Sequence, residues 1–171
     1  MMDALLVNGA VGVGKSTTAS AVAASERSCP IALIDVDEVR RFWPAPADDP
    51  FHHRLTVANL RALASEYRRA GAQRLVLAGV VEDRASAEEY REALGVDRLL
   101  LCRLTAAAEV VRHRLESRHA DDPAGLAWHV DRAVELHGIL ERAGLDDVVL
   151  DVSRLRPDEA ARSLRASAGW D

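Results

Sequence analysis

The sequence holds a single lysine, Lys15, among 22 lysine and arginine residues. Ras-type GTPases read guanine with an N/T-K-x-D motif, and with Lys15 as the only lysine that motif cannot exist. Aromatic residues make up 4% of the chain and no basic stretch interleaves them. With a formal charge of −5 and a pI near 5.7, this opposes a general attraction to nucleic acid or to an anionic membrane. No run of 18 apolar residues occurs, and Met1-Met2-Asp3 lacks the basic-then-apolar order of a secretory signal. The expectation is therefore a soluble, cytoplasmic protein with no membrane partner. Cysteine is limited to Cys29 and Cys102, isolated and without metal-ligand spacing, which predicts two free thiols rather than a disulfide. At 171 residues with 49% apolar content, the chain suffices for one well-cored domain over 1–171 and is too short for two.

What is present centres on Gly9 to Ser16, G-A-V-G-V-G-K-S. The spacing is G-x-x-x-x-G-K-[ST], a P-loop whose backbone N–H groups turn inward on a polyphosphate, while the next helix points its positive N-terminal end at the same anion. The context agrees. Ala4 to Val7 is a short apolar run suited to a buried parallel strand, and Thr17 to Ser25 is alanine-rich with no Pro or Gly. Phosphate binding is thereby assigned to Gly9, Ala10, Val11, Gly12, Val13 and Gly14, followed by Lys15, Ser16 and Thr17, with Ser16 also on Mg²⁺. The lone lysine stands where phosphate chemistry uses a compact, flexible ammonium.

Further along, Ile31 to Ile34 makes a second strand that ends in Asp35-Val36-Asp37. In an open parallel sheet ligands sit beyond the carboxyl ends of the strands, so these acids are aimed at the P-loop. Trp43 to Pro50, with Pro44, Pro46 and Pro50, predicts a loop that covers or lines a substrate. Leu55 to Ala70 has helical periodicity, and Leu75 to Val81 is a continuous apolar strand in which Gly79 permits close backbone approach. Ser86 and Glu89 have capping-box spacing for a helix ending at Gly95. Arg98 to Leu104 predicts a fourth strand, with Thr105 as cap of a helix from Ala106 to about His119. Asp122 and Pro123 start a long helix to Gly144, Val148 to Asp151 is a fifth strand, and Pro157 opens the last helix. Five strands alternating with helices mean a parallel α/β sheet with right-handed crossovers.

Transport and helicase ATPases normally end a core strand in an acid, where this chain has Ala78-Gly79-Val80-Val81. The chain instead resembles the small P-loop kinases. Asp35-Val36-Asp37 is similar to the D-x-D of shikimate kinases, and Asp37-Glu38-Val39-Arg40 resembles the D-x-x-R of polynucleotide kinases and zeta-type toxins. Ile31 to Val39 looks like the segment of chloramphenicol phosphotransferases that carries their catalytic aspartate, which aligns with Asp37. Tyr90 to Leu94 and Arg114 to Arg118 are similar to gluconate kinase segments, the second being the start of a lid. The G-H-F-type lid of gluconate kinases is absent, and the Gly-Gly-Gly of shikimate kinases is reduced to Ala78-Gly79, so no single substrate carries over. The resemblance implies a three-layer α/β P-loop NTPase fold with a five-stranded parallel sheet in the order 2-3-1-4-5 and a short helical lid over about 112–125. It also implies ATP- and Mg²⁺-dependent transfer of a γ-phosphoryl group to a hydroxyl of a small-molecule acceptor. Two rivals stand beside it: a polynucleotide 5′-hydroxyl kinase, favoured by D-x-x-R and opposed by the acidic charge, and a P-loop domain that binds nucleotide as a regulator.

Phosphoryl transfer depends on positioning and charge neutralisation, and each part has a candidate. Lys15 holds the outer phosphates, while Ser16 and Asp35 hold the metal. Asp37 accepts the proton of the acceptor hydroxyl, and Arg40 orients that acceptor or steadies the aspartate. Arg114 and Arg118, four apart on one helix face, close over the transferring phosphoryl. Arg154 and Arg156 follow the fifth strand, where relatives stack the adenine. Glu82, Asp83 and Arg84 follow the third, where related kinases contact the acceptor. His52 and His53 are expected in a surface loop, and His137, on the apolar side of its helix, in the core.

Overall fold

Short aliphatic runs become strands here and the periodic segments become helices. In the computed structural model, which describes residues 2–170, β1 (Asp3–Gly9) passes through the glycine-rich loop into α1 (Lys15–Ser25). Then follow β2 (Ile31–Asp35), α2 (Val36–Val39), α3 (His53–Arg69), β3 (Arg74–Ala78) and α4 (Arg84–Leu94). β4 (Leu99–Thr105), α5 (Ala108–Arg118), α6 (Pro123–Ala143), β5 (Val148–Asp151) and α7 (Pro157–Ala168) complete the chain. The five strands form one parallel sheet in the order β2-β3-β1-β4-β5. Among the described residues no helix is long and apolar enough to cross a membrane, and Cys29 and Cys102 are free thiols.

β1 lies at the centre, and successive side chains enter opposite cores. Leu6 packs with Leu60, Leu77 and Leu94 under α3 and α4, whereas Leu5 and Val7 pack with Val22, Val76 and Leu164 under α1 and α7. Burial on both faces explains why β1 and β3 read as continuous apolar runs instead of alternating ones. Each of these fully buried aliphatic side chains contributes roughly 1.5–3 kcal/mol. A smaller cluster of Ala10, Leu136 and Leu140 seats α6 against the end of β1.

Within these elements the structure departs from the sequence expectation in five places. His53, expected in a surface loop, is the first residue of α3. β3 stops at Ala78, because Gly79 turns under Val36; a Cβ at Gly79 would lie 2.8 Å from Val36 Cγ2. Ser86 and Glu89 do not form a capping box. Asp83 is the cap of α4, accepting the Ser86 N–H at 2.8 Å and the Ser86 hydroxyl at 2.9 Å, and Glu89 is drawn instead to His53. Thr105 stays in β4, and α5 begins after Ala107, whose N–H donates to Ser153 Oγ at 2.8 Å. His137 is exposed beside Glu141, since the buried stripe of α6 runs through Ala133, Leu136 and Leu140 and turns position 137 outward.

At the N-terminal end of the sheet a buried carboxylate joins three elements. The Glu26 side chain, 1% exposed, pairs with Arg74 of β3 and with Arg165 of α7 at 2.8 Å. It also accepts the Ser28 N–H at 2.6 Å and hydroxyl at 2.7 Å. The Arg74 guanidinium stacks 5.1 Å from the Trp170 ring centre. Burial opposes the charge, yet the hydrogen bonds from Ser28, Arg165 and Arg74 prevail and hold the carboxyl well below the usual range. A depressed folded pKa contributes stability that is present above the unfolded value of 4.5 and lost as pH falls. Glu26→Gln should therefore cost about 3–5 kcal/mol in urea unfolding at pH 7, with the deficit shrinking below pH 4.5. A deficit independent of pH would refute the ionic origin.

Candidate functional site

The loop after β1 is built on backbone conformations that side chains disfavour. Gly9, Gly12 and Gly14 have φ of 143°, 78° and 105°. A Cβ at Gly12 would lie 2.9 Å from the Leu115 side chain, so α5 presses directly on the loop. Gly14 is the N-cap of α1 and no side chain caps the helix. Its first-turn N–H groups are thus left for a ligand, with the positive end of the helix dipole behind them. From the opposite side Arg114 donates to the Val13 carbonyl at 2.8 Å and the Val152 carbonyl at 3.4 Å, tying the loop to the segment after β5.

Lys15 is half-buried and its ammonium donates to the Ala10 carbonyl at 3.0 Å. Burial pulls its pKa down to about 8, against the attraction of Asp37 and Asp35 and with a further lowering from Arg118 and Arg40. The lysine and these four groups therefore share one electrostatic neighbourhood. Ser16 Oγ donates to Asp35 Oδ2 at 2.7 Å. Asp35 Oδ1 accepts the Asp37 N–H at 3.0 Å, so the strand-end aspartate also caps α2. Asp37, one residue into α2, is ion-paired with Arg40. No cluster of three or more His, Cys, Asp or Glu forms a metal cage among the described residues. A serine hydroxyl beside one carboxylate is instead the donor set suited to a Mg²⁺ ion that keeps water and phosphate ligands.

Beside the loop lies a cavity of about 240 Å³, lined by Gly12, Gly14, Thr17, Arg118, Leu155 and Pro157. Arg154 and Arg156 do not line it; Leu155 and Pro157 do, because alternate residues of the extended segment point to opposite sides. Arg156 pairs with Asp158 at 3.2 Å instead. A larger apolar cavity, about 560 Å³, opens between α5 and α6 and is lined by Val13, Leu104, Leu115, Val130 and Ala133 among others. Lys15, Ser16, Asp35 and Asp37 are absent from its walls, so it lies apart from the polar chemistry.

No protein-family model matches the sequence, and no curated protein matches it significantly. Solved structures do match. The chain is similar to a tunicamycin resistance protein of Deinococcus radiodurans, at 23% identity and a TM-score of 0.68 over 99% of this chain and 96% of that one. A gluconokinase from Sinorhizobium meliloti 1021 matches at 21% identity and a TM-score of 0.62, covering 98% of this chain and 91% of the other. A sugar kinase from Janibacter sp. HTCC2649 matches at 21% identity and a TM-score of 0.61, covering 99% and 95%. The likeness extends over nearly the full length of each and establishes the fold, an α/β sheet in the order 2-3-1-4-5 shared with small P-loop kinases.

Two features of the site carry no motif. Arg132 of α6 reaches Glu82, just beyond β3, at 3.0 Å, which fixes α6 across the strand ends. Asn8 is buried at the end of β1, where an aliphatic residue would be expected, and a polar side chain in such a run is the one local sign of its role. Its amide donates to the Val81 carbonyl at 3.0 Å, while its oxygen accepts the Gly9 N–H at 2.9 Å and the Val81 N–H at 3.3 Å. Asn8→Leu leaves these buried groups unpaired and should destabilise the protein by about 1–3 kcal/mol, read as a lower urea midpoint at unchanged slope. An unaltered midpoint would show that the bridge adds nothing to stability.

Proposed function

We propose that the chain is an ATP- and Mg²⁺-dependent phosphotransferase that moves the γ-phosphoryl group to a hydroxyl of a small-molecule acceptor. The observation that carries this reading is the Ser16–Asp35–Asp37 junction. A glycine-rich loop alone accounts for triphosphate binding; an acid placed just beyond the metal-side carboxylate adds what an acceptor hydroxyl needs. The similarity to structures named as a gluconokinase and a sugar kinase supports a small acceptor.

In this reading the backbone from Gly9 to Gly14, the first turn of α1 with Thr17, and the Lys15 ammonium bind and orient the phosphates. Ser16 and Asp35 would hold Mg²⁺, which would supply neutralisation of the charge on the phosphates. Asp37 takes the proton of the attacking hydroxyl, and Arg40 steadies it through their ion pair. Arg118 faces the phosphates from the end of α5, and Arg114 holds the loop through the Val13 carbonyl. The base of the nucleotide occupies the cavity between Arg118, Leu155 and Pro157, and Leu155 and Pro157 take the place expected of Arg154 and Arg156. The single domain 1–171 carries its lid over about 112–125, from the end of α5 into α6.

Asp37→Asn should bind nucleotide normally and lose about 10²–10⁴ in kcat, measured as ADP release with an accepted hydroxyl compound. Full activity would remove Asp37 as the base, and ATP-dependent 5′ labelling of an oligonucleotide would overturn the small acceptor. Lys15 gives an independent handle. With a pKa of about 8 in the free protein, it is partly neutral above that pH, whereas a bound polyphosphate favours the ammonium. Nucleotide affinity should fall as pH rises through 8, and binding above pH 8 should take up a proton, seen as a calorimetric enthalpy that depends on the buffer. An enthalpy independent of buffer would refute this placement of Lys15.

A further inference from the structure

The cavity between α5 and α6, at about 560 Å³, is more than twice the size of the one beside the loop, at about 240 Å³. No step of the proposed transfer uses it. Small-molecule sites are hollows of roughly 300–1,000 Å³ with mostly apolar walls and a few polar groups, and this cavity has both properties. Leu104 at the end of β4, Val111 and Leu115 of α5 and Val130 of α6 line it, and Val134 on the same wall is left 70% exposed to water. The turn of residues 119–122 joins the two helices. The hollow is therefore blind on that side, whereas a partner helix about 10–12 Å across needs an open groove.

One wall is shared with the glycine-rich loop. Ala10 and Val13 line the cavity, and the Ala10 carbonyl accepts the Lys15 ammonium at 3.0 Å. A Cβ on Gly12 would meet Val111 Cγ1 at 3.2 Å as well as the Leu115 side chain, so two side chains of the cavity also press on the loop. A molecule that fits the cavity as it stands therefore favours the loop in this conformation, in which no side chain caps the start of α1. Nucleotide favours the same conformation. Two ligands that select one state tighten each other's binding.

The ionisable groups of the cavity decide the charge of what enters. Glu109 lines it, is exposed and has no cationic partner among the described residues. Arg112 is engaged by Glu116 at 3.2 Å, and His137 lies 3.6 Å from Glu141. An entering anion would meet the unpaired Glu109 and lose its water against aliphatic walls, a cost that apolar contact does not offset. We infer that this cavity binds an apolar, non-anionic small molecule, separately from the nucleotide, and that its occupancy tightens nucleotide binding through Ala10, Val13 and Leu115. No bond is made or broken there. The molecule is an effector and not the acceptor, since Asp37 lies outside the walls.

The test uses N-phenyl-1-naphthylamine, a neutral dye whose fluorescence rises in apolar surroundings, and 8-anilino-1-naphthalenesulfonate, which has the same rings and a negative charge. The neutral dye should bind at one per chain, and the sulfonate about tenfold more weakly or not at all. Ala108→Trp and Val134→Trp fill the cavity from opposite helices at exposed positions. Both variants should keep the urea midpoint of the parent and bind the dye about tenfold more weakly. With ADP and Mg²⁺ present the dye should bind about fivefold more tightly, and ADP likewise in the presence of dye. Absence of saturable dye binding, equal or stronger binding of the sulfonate, indifference to both substitutions, or independence or mutual exclusion of dye and bound ADP overturns the inference. So does a dye affinity that falls as the chain is concentrated into a sedimenting dimer, since a second copy would then be what covers the cavity. Dye binding is read without nucleotide, so a protein that takes up the dye but no ADP counts against the nucleotide reading and not against the pocket.

Discussion

At Gly9 the backbone passes so close to β4 that a Cβ would lie 2.7 Å from the Leu104 carbonyl oxygen. Only a residue without a side chain can leave β1 by this route, at a φ of 143°. The direction of exit decides where the loop folds back, and hence where the first turn of α1 points. Asn8 secures the same point from the other side by bridging to Val81. The glycine-rich loop is thus referenced to β4 on one flank and to the chain leaving β3 on the other, the two strands that neighbour β1. Ser16 can meet Asp35 at the end of β2 because that frame is rigid.

The two ends of the sheet treat buried charge in opposite ways. Glu26, at the N-terminal end, is surrounded by donors, and the charged form is favoured despite the loss of water. Lys15, at the other end, has one carbonyl as its hydrogen-bond partner, and desolvation wins. The same physics produces a satisfied structural ion at one end and an under-satisfied ammonium at the other. The latter is the arrangement from which an incoming anion gains most, since it supplies the partners that the fold withholds.

Local chemistry was legible in the sequence to the extent that it was self-contained. The glycine spacing of the loop, the aliphatic run of β5 from Val148 to Asp151, the Asp122–Pro123 start of α6 and the stops at Gly95 and Gly144 all depend on neighbours a few residues away. What was not legible depends on partners far along the chain. Asp83 and Ser86 each satisfy a capping pattern, and the choice between them turns on Glu89, which is taken by His53 36 residues earlier. The start of α5 is set by Ser153, 46 residues beyond Ala107. Arg114 and Arg118 look equivalent on a helical wheel and both line the cavity beside the loop, yet Arg114 alone also binds the Val13 carbonyl. That partner is not encoded in the spacing of the arginines.

Neighbouring residues of α5 grip the loop from behind, Leu115 against Gly12 and Arg114 on Val13. Mechanically this makes the helix and the cradle formed by the glycine-rich loop one body. Any opening and closing that left this body intact would then fall to the short turn of residues 119–122 and the first turn of α6, ahead of Arg132, Leu136 and Leu140, which hold the rest of that helix. A swing of α5 itself would pull the cradle apart, so the element that looks most like a moving arm is the anvil on which the loop is set.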